Sequence, residues 1–378
     1  MGPLVLLVIL SISTLTLGFG YDTDEDYLWH LQKAPVVLDR RTIAIESPQF
    51  KAESKLSINS TCGIDCQKRL PVPNVFDLQN YLSYETVYEN GTRTLTEVDV
   101  RNFDLKAEYG VTKTAGHSRR KREVYGLDSR FTISNKNFMT RYPFSTAVKI
   151  STGCTGILVS RKHVLTAAHC IHDGKDYVKG AKRLRVGFLK LRSKGGRRKG
   201  LKRNKLGTKD KPAFQWSRVT RTQVPKGWFK GVTDDIAVDY DYAVLELRRA
   251  HKQKYMDIGI SPPVNKMPSN RIHFSGFDND RPGLLVYRFC TVSDESNDLF
   301  YQYCDAEPGS SGSGVYIRLK DPDKRKWKRK IIGVFSGHQW VDVKGAQQDY
   351  NVAVRITPLK YAQICFWVHG NYADCKDG

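Results

Sequence analysis

The sequence predicts an all-β fold for most of its 378 residues. Short runs of β-branched and apolar residues recur at 147–150, 155–159, 163–166, 243–247, 314–317 and 331–335. Turn residues separate these runs, and no internal repeat is evident. Many short strands so spaced indicate antiparallel sandwiches or barrels rather than a parallel sheet with crossover helices. The end of the chain differs. Thr357 is placed to cap a helix with Pro358 at its first position, and Leu359, Ala362 and Phe366 repeat at helical spacing, so that one face should pack inward.

Before the strands the chain has another character. An apolar run from Leu4 to Leu17 ends in small residues at Gly18 and Gly20, which reads as a signal peptide over residues 1–18. No Lys or Arg precedes it, a departure from the usual pattern. The run falls short of the roughly 20 apolar residues that span a bilayer, and no later stretch is long and apolar enough. The tetrabasic run Arg119-Arg120-Lys121-Arg122 resembles the cleavage site of furin-type proprotein convertases. The charge balance changes there: residues 1–122 carry 15 basic and 15 acidic residues, residues 123–378 carry 46 and 24, so the whole excess of +22 lies downstream. We therefore expect a loosely structured propeptide over 19–122 and one folded domain over 123–378.

Eight cysteines in an exported chain imply four disulfides. They fall into neighbouring pairs, Cys62-Cys66, Cys154-Cys170, Cys290-Cys304 and Cys365-Cys375. Cys62 and Cys66 have zinc-like spacing, but no second close Cys/His pair answers them, so no metal is expected. Sequons at Asn59 and Asn90 mark glycosylation sites that fit the same export route.

Three separated segments carry chemistry. Thr166-Ala167-Ala168-His169-Cys170 places a histidine beside a half-cystine. Asp239-Tyr240-Asp241 leads into an apolar run. Gly309-Ser310-Ser311-Gly312-Ser313-Gly314 places a serine in a glycine-rich turn. A hydroxyl is a poor nucleophile at neutral pH unless a base takes its proton, so histidine and serine together point to acyl transfer. The order His, Asp, Ser is one of three in which such a triad occurs.

Over roughly residues 140–370 these segments resemble the trypsin-like, chymotrypsin-clan serine proteases. The stretches 176–180, 274–283 and 335–340 are similar to a small subgroup of secreted vertebrate members. The resemblance implies two six-stranded antiparallel β-barrels with a C-terminal helix, His169 as general base, Asp241 orienting it, and Ser311 as nucleophile. It also implies an oxyanion hole from the N–H groups of Gly309 and Ser311, and Ser336 on the strand that pairs with substrate. Asp239 competes with Asp241; the latter directly precedes the apolar strand. No metal or organic cofactor is implied, and the partners are a protein or peptide substrate and a convertase, with the chain acting as a monomer.

The pattern also breaks. The family's usual activation pairs a new apolar N-terminal amine with an aspartate just before the nucleophile, whereas Ser310 stands there and Glu123 follows the tetrabasic run. We expect instead that removing the prosegment unblocks a cleft whose oxyanion hole is already formed. Asp305, six residues before Ser311, stands where the family keeps the acid that selects basic P1 residues, but Glu307 replaces the half-cystine that follows it. His338, near Ser336, is an alternative contact for an acidic P1 side chain.

Eleven Lys/Arg and a single acid fill residues 190–211, including Arg197, Arg198, Lys199, Lys202 and Arg203; Lys326, Lys328 and Arg329 form a second patch. Such patches attract polyanions, and outside the cell heparan sulfate is the expected one. No nucleic-acid-reading motif accompanies the charge. A catalytically silent homologue that binds polyanions or proteins through its barrels is the alternative to the enzyme.

Overall fold

The computed structural model describes residues 29–53, 58–59, 62–104, 128–190, 213–229, 237–321, 326–343 and 346–378. The tetrabasic run, residues 1–18, and the loop holding Arg197 to Arg203 lie outside these. Ahead of the expected domain the chain forms β1 (Val36–Ile45), β2 (Ile58–Asn59), β3 (Tyr84–Tyr88) and β4 (Arg93–Arg101), with a helix at Val75–Leu82; β5 (Phe131–Ile133) follows.

Six strands then close a first barrel: β6 (Ala147–Ile150), β7 (Thr155–Leu158), β8 (His163–Thr166), β9 (Arg185–Lys190), β10 (Ala213–Pro225) and β11 (Ala243–Leu247). Their order is β10-β11-β8-β7-β6-β9, and β9 pairs back onto β10. After the parallel add-on β12 (Asp257–Ile258), six more close a second: β13 (Arg271–Gly276), β14 (Leu285–Glu295), β15 (Leu299–Gln302), β16 (Gly314–Asp321), β17 (Lys326–Val343) and β18 (Ala346–Arg355). That order is β17-β16-β13-β14-β15-β18, closed by β17 on β18. Closure leaves no free edge within either ring and turns alternate side chains inward. Val148, Ile150, Leu158, Val164, Val186 and Leu245 fill the first barrel; Ile272, Phe274, Phe300, Val315, Ile332 and Phe335 fill the second.

The upstream segment contributes strands that its scattered apolar residues did not single out. β1 pairs β4, β4 pairs β3, and β3 pairs β10 from Arg221↔Tyr88 to Pro225↔Tyr84, so a three-stranded extension grows from the first barrel. Its apolar face is shared with the barrels: Leu78, Leu82, Tyr84 and Val87 lie in one buried cluster with Val224, Trp228, Tyr240 and Trp367. The Tyr84 and Trp367 rings meet edge to face at 5.0 Å. Lys226 N donates to Ser83 O at 2.6 Å, Tyr177 Oη to Glu85 Oε2 at 3.0 Å, and Gln363 Nε2 to Leu82 O. β2 lies parallel to β17 at Gln339 and Trp340, and Gln339 Nε2 donates to Cys62 O at 2.9 Å.

This contact changes the expected C-terminal helix, which runs over Pro358–His369. Thr357 caps it through Lys360 N, and Gly370 ends it at φ 72°. Leu359 and Ala362 face the core, whereas Phe366 is only partly buried. Lys360, Tyr361, Gln363, Ile364, Cys365 and Trp367 are buried as well: Gln363 and Trp367 meet the upstream segment at Leu82 and Tyr84, while Lys360 reaches Asp298 and Tyr361 and Cys365 meet the chain's last residues at Asp377 and Cys375. Sulfurs join in the four pairs Cys62–Cys66, Cys154–Cys170, Cys290–Cys304 and Cys365–Cys375. None of the four joins residues 29–104 to the rest. Among the described residues no helix is long and apolar enough to cross a membrane.

Two outcomes follow. Leu82→Ala removes a fully buried side chain and is expected to cost about 2–5 kcal/mol in urea unfolding. Cutting the chain between residues 105 and 127 should leave both pieces in one size-exclusion peak, since strand pairing and a shared core hold them; separate elution of the upstream piece would contradict this.

Candidate active site

His169 sits in the turn Ala168–Cys170 directly after β8, where the Cys154–Cys170 disulfide ties that turn to the start of β7. Asp241 follows the turn Ala237–Tyr240 and precedes β11, the neighbour of β8. The two meet twice. His169 N donates to Asp241 Oδ1 at 2.8 Å, and His169 Nδ1 lies 2.8 Å from Asp241 Oδ2. Ser336 Oγ also donates to Oδ2. Asp241 is wholly buried, so these donors replace the water it loses. Ser336 comes from the other barrel. It is left unpaired by a bulge in β17 between Phe335 and Gly337, and such a bulge re-aims a side chain.

Asp239 takes no part. It is buried away from this set, and desolvation with the nearby charge of Asp298 drives its carboxyl well above the usual range, against a smaller opposing effect of Lys360.

Ser311 lies in the glycine turn before β16. Its carbonyl accepts from Thr155 N at 2.9 Å and lies 3.9 Å from Cys170 Sγ, the atom that is 3.8 Å from His169 Nε2. Serine and imidazole therefore flank one half-cystine. The Cys154 and Cys170 sulfurs are spent on their disulfide and offer no thiolate to a metal.

The turn needs its glycines. Gly309 has φ 101° and Gly312 φ 81°; a Cβ would meet Phe277 O at 2.5 Å in the first case and Thr166 Oγ1 at 2.2 Å in the second. Asn279 N donates to Pro308 O at 2.8 Å. A trans peptide points its carbonyl and the next N–H in opposite directions, so the Gly309 N–H faces away from Asn279. Among the described residues neither Gly309 N–H nor Ser311 N–H has a protein acceptor. Thr155 Oγ1 braces the turn by donating to Gly309 O at 2.7 Å while accepting from Phe277 N at 2.9 Å. Sequence reasoning missed Thr155 and Asn279; nothing local marks them, since each acts across the fold.

Asp305 and His338 are both buried against protein partners. Asp305 is buried, and its Oδ2 accepts from both Ser129 N and Ser129 Oγ at 2.7 Å. His338 is buried with Nε2 at 2.6 Å from Asp349 Oδ1 and Nδ1 at 3.4 Å from Asn351 Oδ1. Both ring nitrogens thus face the protein. Asn90 is exposed in the β3–β4 turn, where its Oδ1 accepts from Thr92 N and Oγ1. Asn59 lies on β2. Lys326, Lys328 and Arg329 begin β17, with the Arg329 guanidinium over the Tyr142 ring at 5.5 Å.

Two closed antiparallel barrels with a His–Asp pair and a glycine-bounded serine between them define a class, and comparison agrees: residues 134–363 match the Trypsin family model, so this chain belongs to the trypsin family. Similar relatives span nearly its full length. "Inactive serine protease 35" of Homo sapiens is 57% identical, covering 96% of each chain, and "Serine protease 23" of Bos taurus is 58% identical, covering 95% of this chain and 94% of the relative. A solved Glu endopeptidase in complex with MPD is 20% identical with a TM-score of 0.45, over 65% of this chain and 98% of that one.

Three buried histidines set a pH dependence. Desolvation lowers His172 to about 3, His273 to about 3 and His163 to about 4. The unfolded chain takes these protons near pH 6.5 and the folded chain far lower. Their contribution is therefore intact above about 6.5 and falls by roughly 1.4 kcal/mol per pH unit per group as the solution is acidified toward the folded values. The urea midpoint should drop clearly between pH 7 and pH 5; a constant midpoint would contradict the burial of neutral rings.

Proposed function

We propose that this chain is a secreted serine endopeptidase that hydrolyses peptide bonds through an acyl-enzyme. His169 takes the proton of Ser311 as that oxygen attacks the scissile carbonyl, then returns it to the leaving amine. Asp241 fixes the imidazole with Nδ1–H toward itself and stabilises the imidazolium. The Gly309 and Ser311 N–H groups receive the developing oxyanion, where removing one such donor typically costs 10²–10³ in rate. The observation that carries this reading is the double hydrogen bond of His169 to a buried Asp241, beside two N–H groups with no protein acceptor. Export through residues 1–18 and cutting after Arg122 belong to the same proposal.

Asp305 is assigned another role than choosing a basic P1 side chain. With Oδ2 holding Ser129, it anchors the segment that enters β5, which pairs with β14 of the second barrel. Asp305→Ala should lower stability by about 1.5–3 kcal/mol, the range for hydrogen bonds to a charged group. It should leave the ratio of arginine to alanine ester turnover unchanged; a selective loss on arginine esters would restore the specificity role.

A second reading, a silent homologue that binds polyanions such as heparan sulfate or proteins, draws on the name of one relative, "Inactive serine protease 35". Fluorophosphonate labelling separates the two. The protein cut after Arg122 should label, Ser311→Ala should not, and Asp241→Asn should label about 10⁴-fold more slowly, as loss of the orienting carboxylate does elsewhere. Absence of labelling would favour the binding module.

A further inference from the structure

A buried ion cluster stands beside the glycine turn. Asp278 has a fully buried side chain, and its Oδ2 accepts from Arg130 Nη1 at 2.9 Å and from Arg288 Nη2. Arg130, only 4% exposed, also reaches Asp128 Oδ2 at 2.9 Å and Asp280 Oδ2 at 2.8 Å. Arg281 joins the rim through Asp128 and donates to Thr132 Oγ1 at 2.7 Å. Two buried guanidiniums sharing one carboxylate are costly to desolvate and hold their geometry only when all partners are in place.

This cluster is one residue from the bond that orients the turn. Asn279, between Asp278 and Asp280, gives its N–H to Pro308 O, and that contact turns the Gly309 N–H the other way. On the other side of Arg130, Ser129 binds Asp305 through both N and Oγ, and Asp305 lies on the chain leading into Pro308. The segment Asp128-Ser129-Arg130 thus grips both stretches that meet at the Asn279–Pro308 bond. Ser310, in the position where the family holds an activating aspartate, makes only local bonds among the described residues: its N and Oγ donate to Glu307 O at 3.1 and 2.7 Å, and its O accepts from Ser313.

We infer that Arg130 is a positioning residue for the oxyanion hole. Through Asp278 it holds the Asn279–Pro308 hydrogen bond, and with it the outward Gly309 N–H, by an internal side-chain charge in place of a new N-terminal amine. The charge is present before and after any cut at Arg122, so the turn is formed in the single chain. This rests on the catalytic reading above for its consequence, but not for its geometry.

The test compares wild type, Arg130→Ala and Arg130→Lys, each cut after Arg122, with uncut Arg122→Ala alongside. Hydrogen exchange at the Asn279 amide should be protected equally in cut wild type and uncut Arg122→Ala, and at least tenfold faster in Arg130→Ala. Fluorophosphonate acylation at saturating probe should fall by roughly 10²–10³ in Arg130→Ala, the scale of one lost oxyanion donor, with half-saturation unchanged. Arg130→Lys, which keeps the charge, should recover part of both, and it carries the comparison if the alanine variant does not fold. Equal protection in wild type and Arg130→Ala, or protection that appears only after cutting, overturns the inference. A wild type that fails to label, with Asn279 protection still dependent on Arg130, would overturn the catalytic reading and leave this one standing.

Discussion

The arrangement depends on one buried carboxylate. Asp241 belongs to the first barrel, yet Ser336 of the second barrel donates to the same oxygen that faces His169 Nδ1. A charge without water must be met by donors on every side. The barrels can satisfy Asp241 only when packed in one relative position, and that position also brings the Ser311 turn against Cys170. The interaction that orients the imidazole therefore also fixes the cleft.

The glycine turn obeys a second constraint. Its donors are useful only if they point at vacant space, and the backbone must spend its other polar groups elsewhere. Pro308 O goes to Asn279, Gly309 O to Thr155, Ser311 O to Thr155 N and Ser310 O to Ser313. These four carbonyls have named partners, while the Gly309 and Ser311 N–H groups have none among the described residues. The Arg130–Asp278–Arg288 cluster supplies the rigidity for this from the loop next door.

What could be read from the sequence follows from range. The strands, the capped C-terminal helix and the His169 turn are written in neighbouring residues, through β-branching, Thr357-Pro358 and the adjacent half-cystine. Asp241 was separable from Asp239 because it directly precedes an apolar strand, and buried Asp239 indeed faces Asp298 and Lys360 instead. The upstream strands were not legible: β1 is exposed along much of its length and gains its place by pairing with β4, while β3 gains its place by pairing with β10, more than a hundred residues away. The Asp305–Ser129 contact is not legible either, because the distance of Asp305 from Ser311 along the chain says nothing about Ser129. The helical stripe of Leu359, Ala362 and Phe366 does pack against the core, but periodicity reports one face only and does not show that Gln363 and Trp367 are covered by the upstream segment.

The turn uses Arg130 and Arg288 as buried structural cations, and the proposed chemistry is a covalent step at the Ser311 oxygen. Pre-steady-state hydrolysis of an activated ester by the cut protein measures that step most directly. A burst of released alcohol equal to one equivalent of protein, followed by slower turnover, is the expected result. A linear release from the first moment, at the same rate in Ser311→Ala, would contradict it.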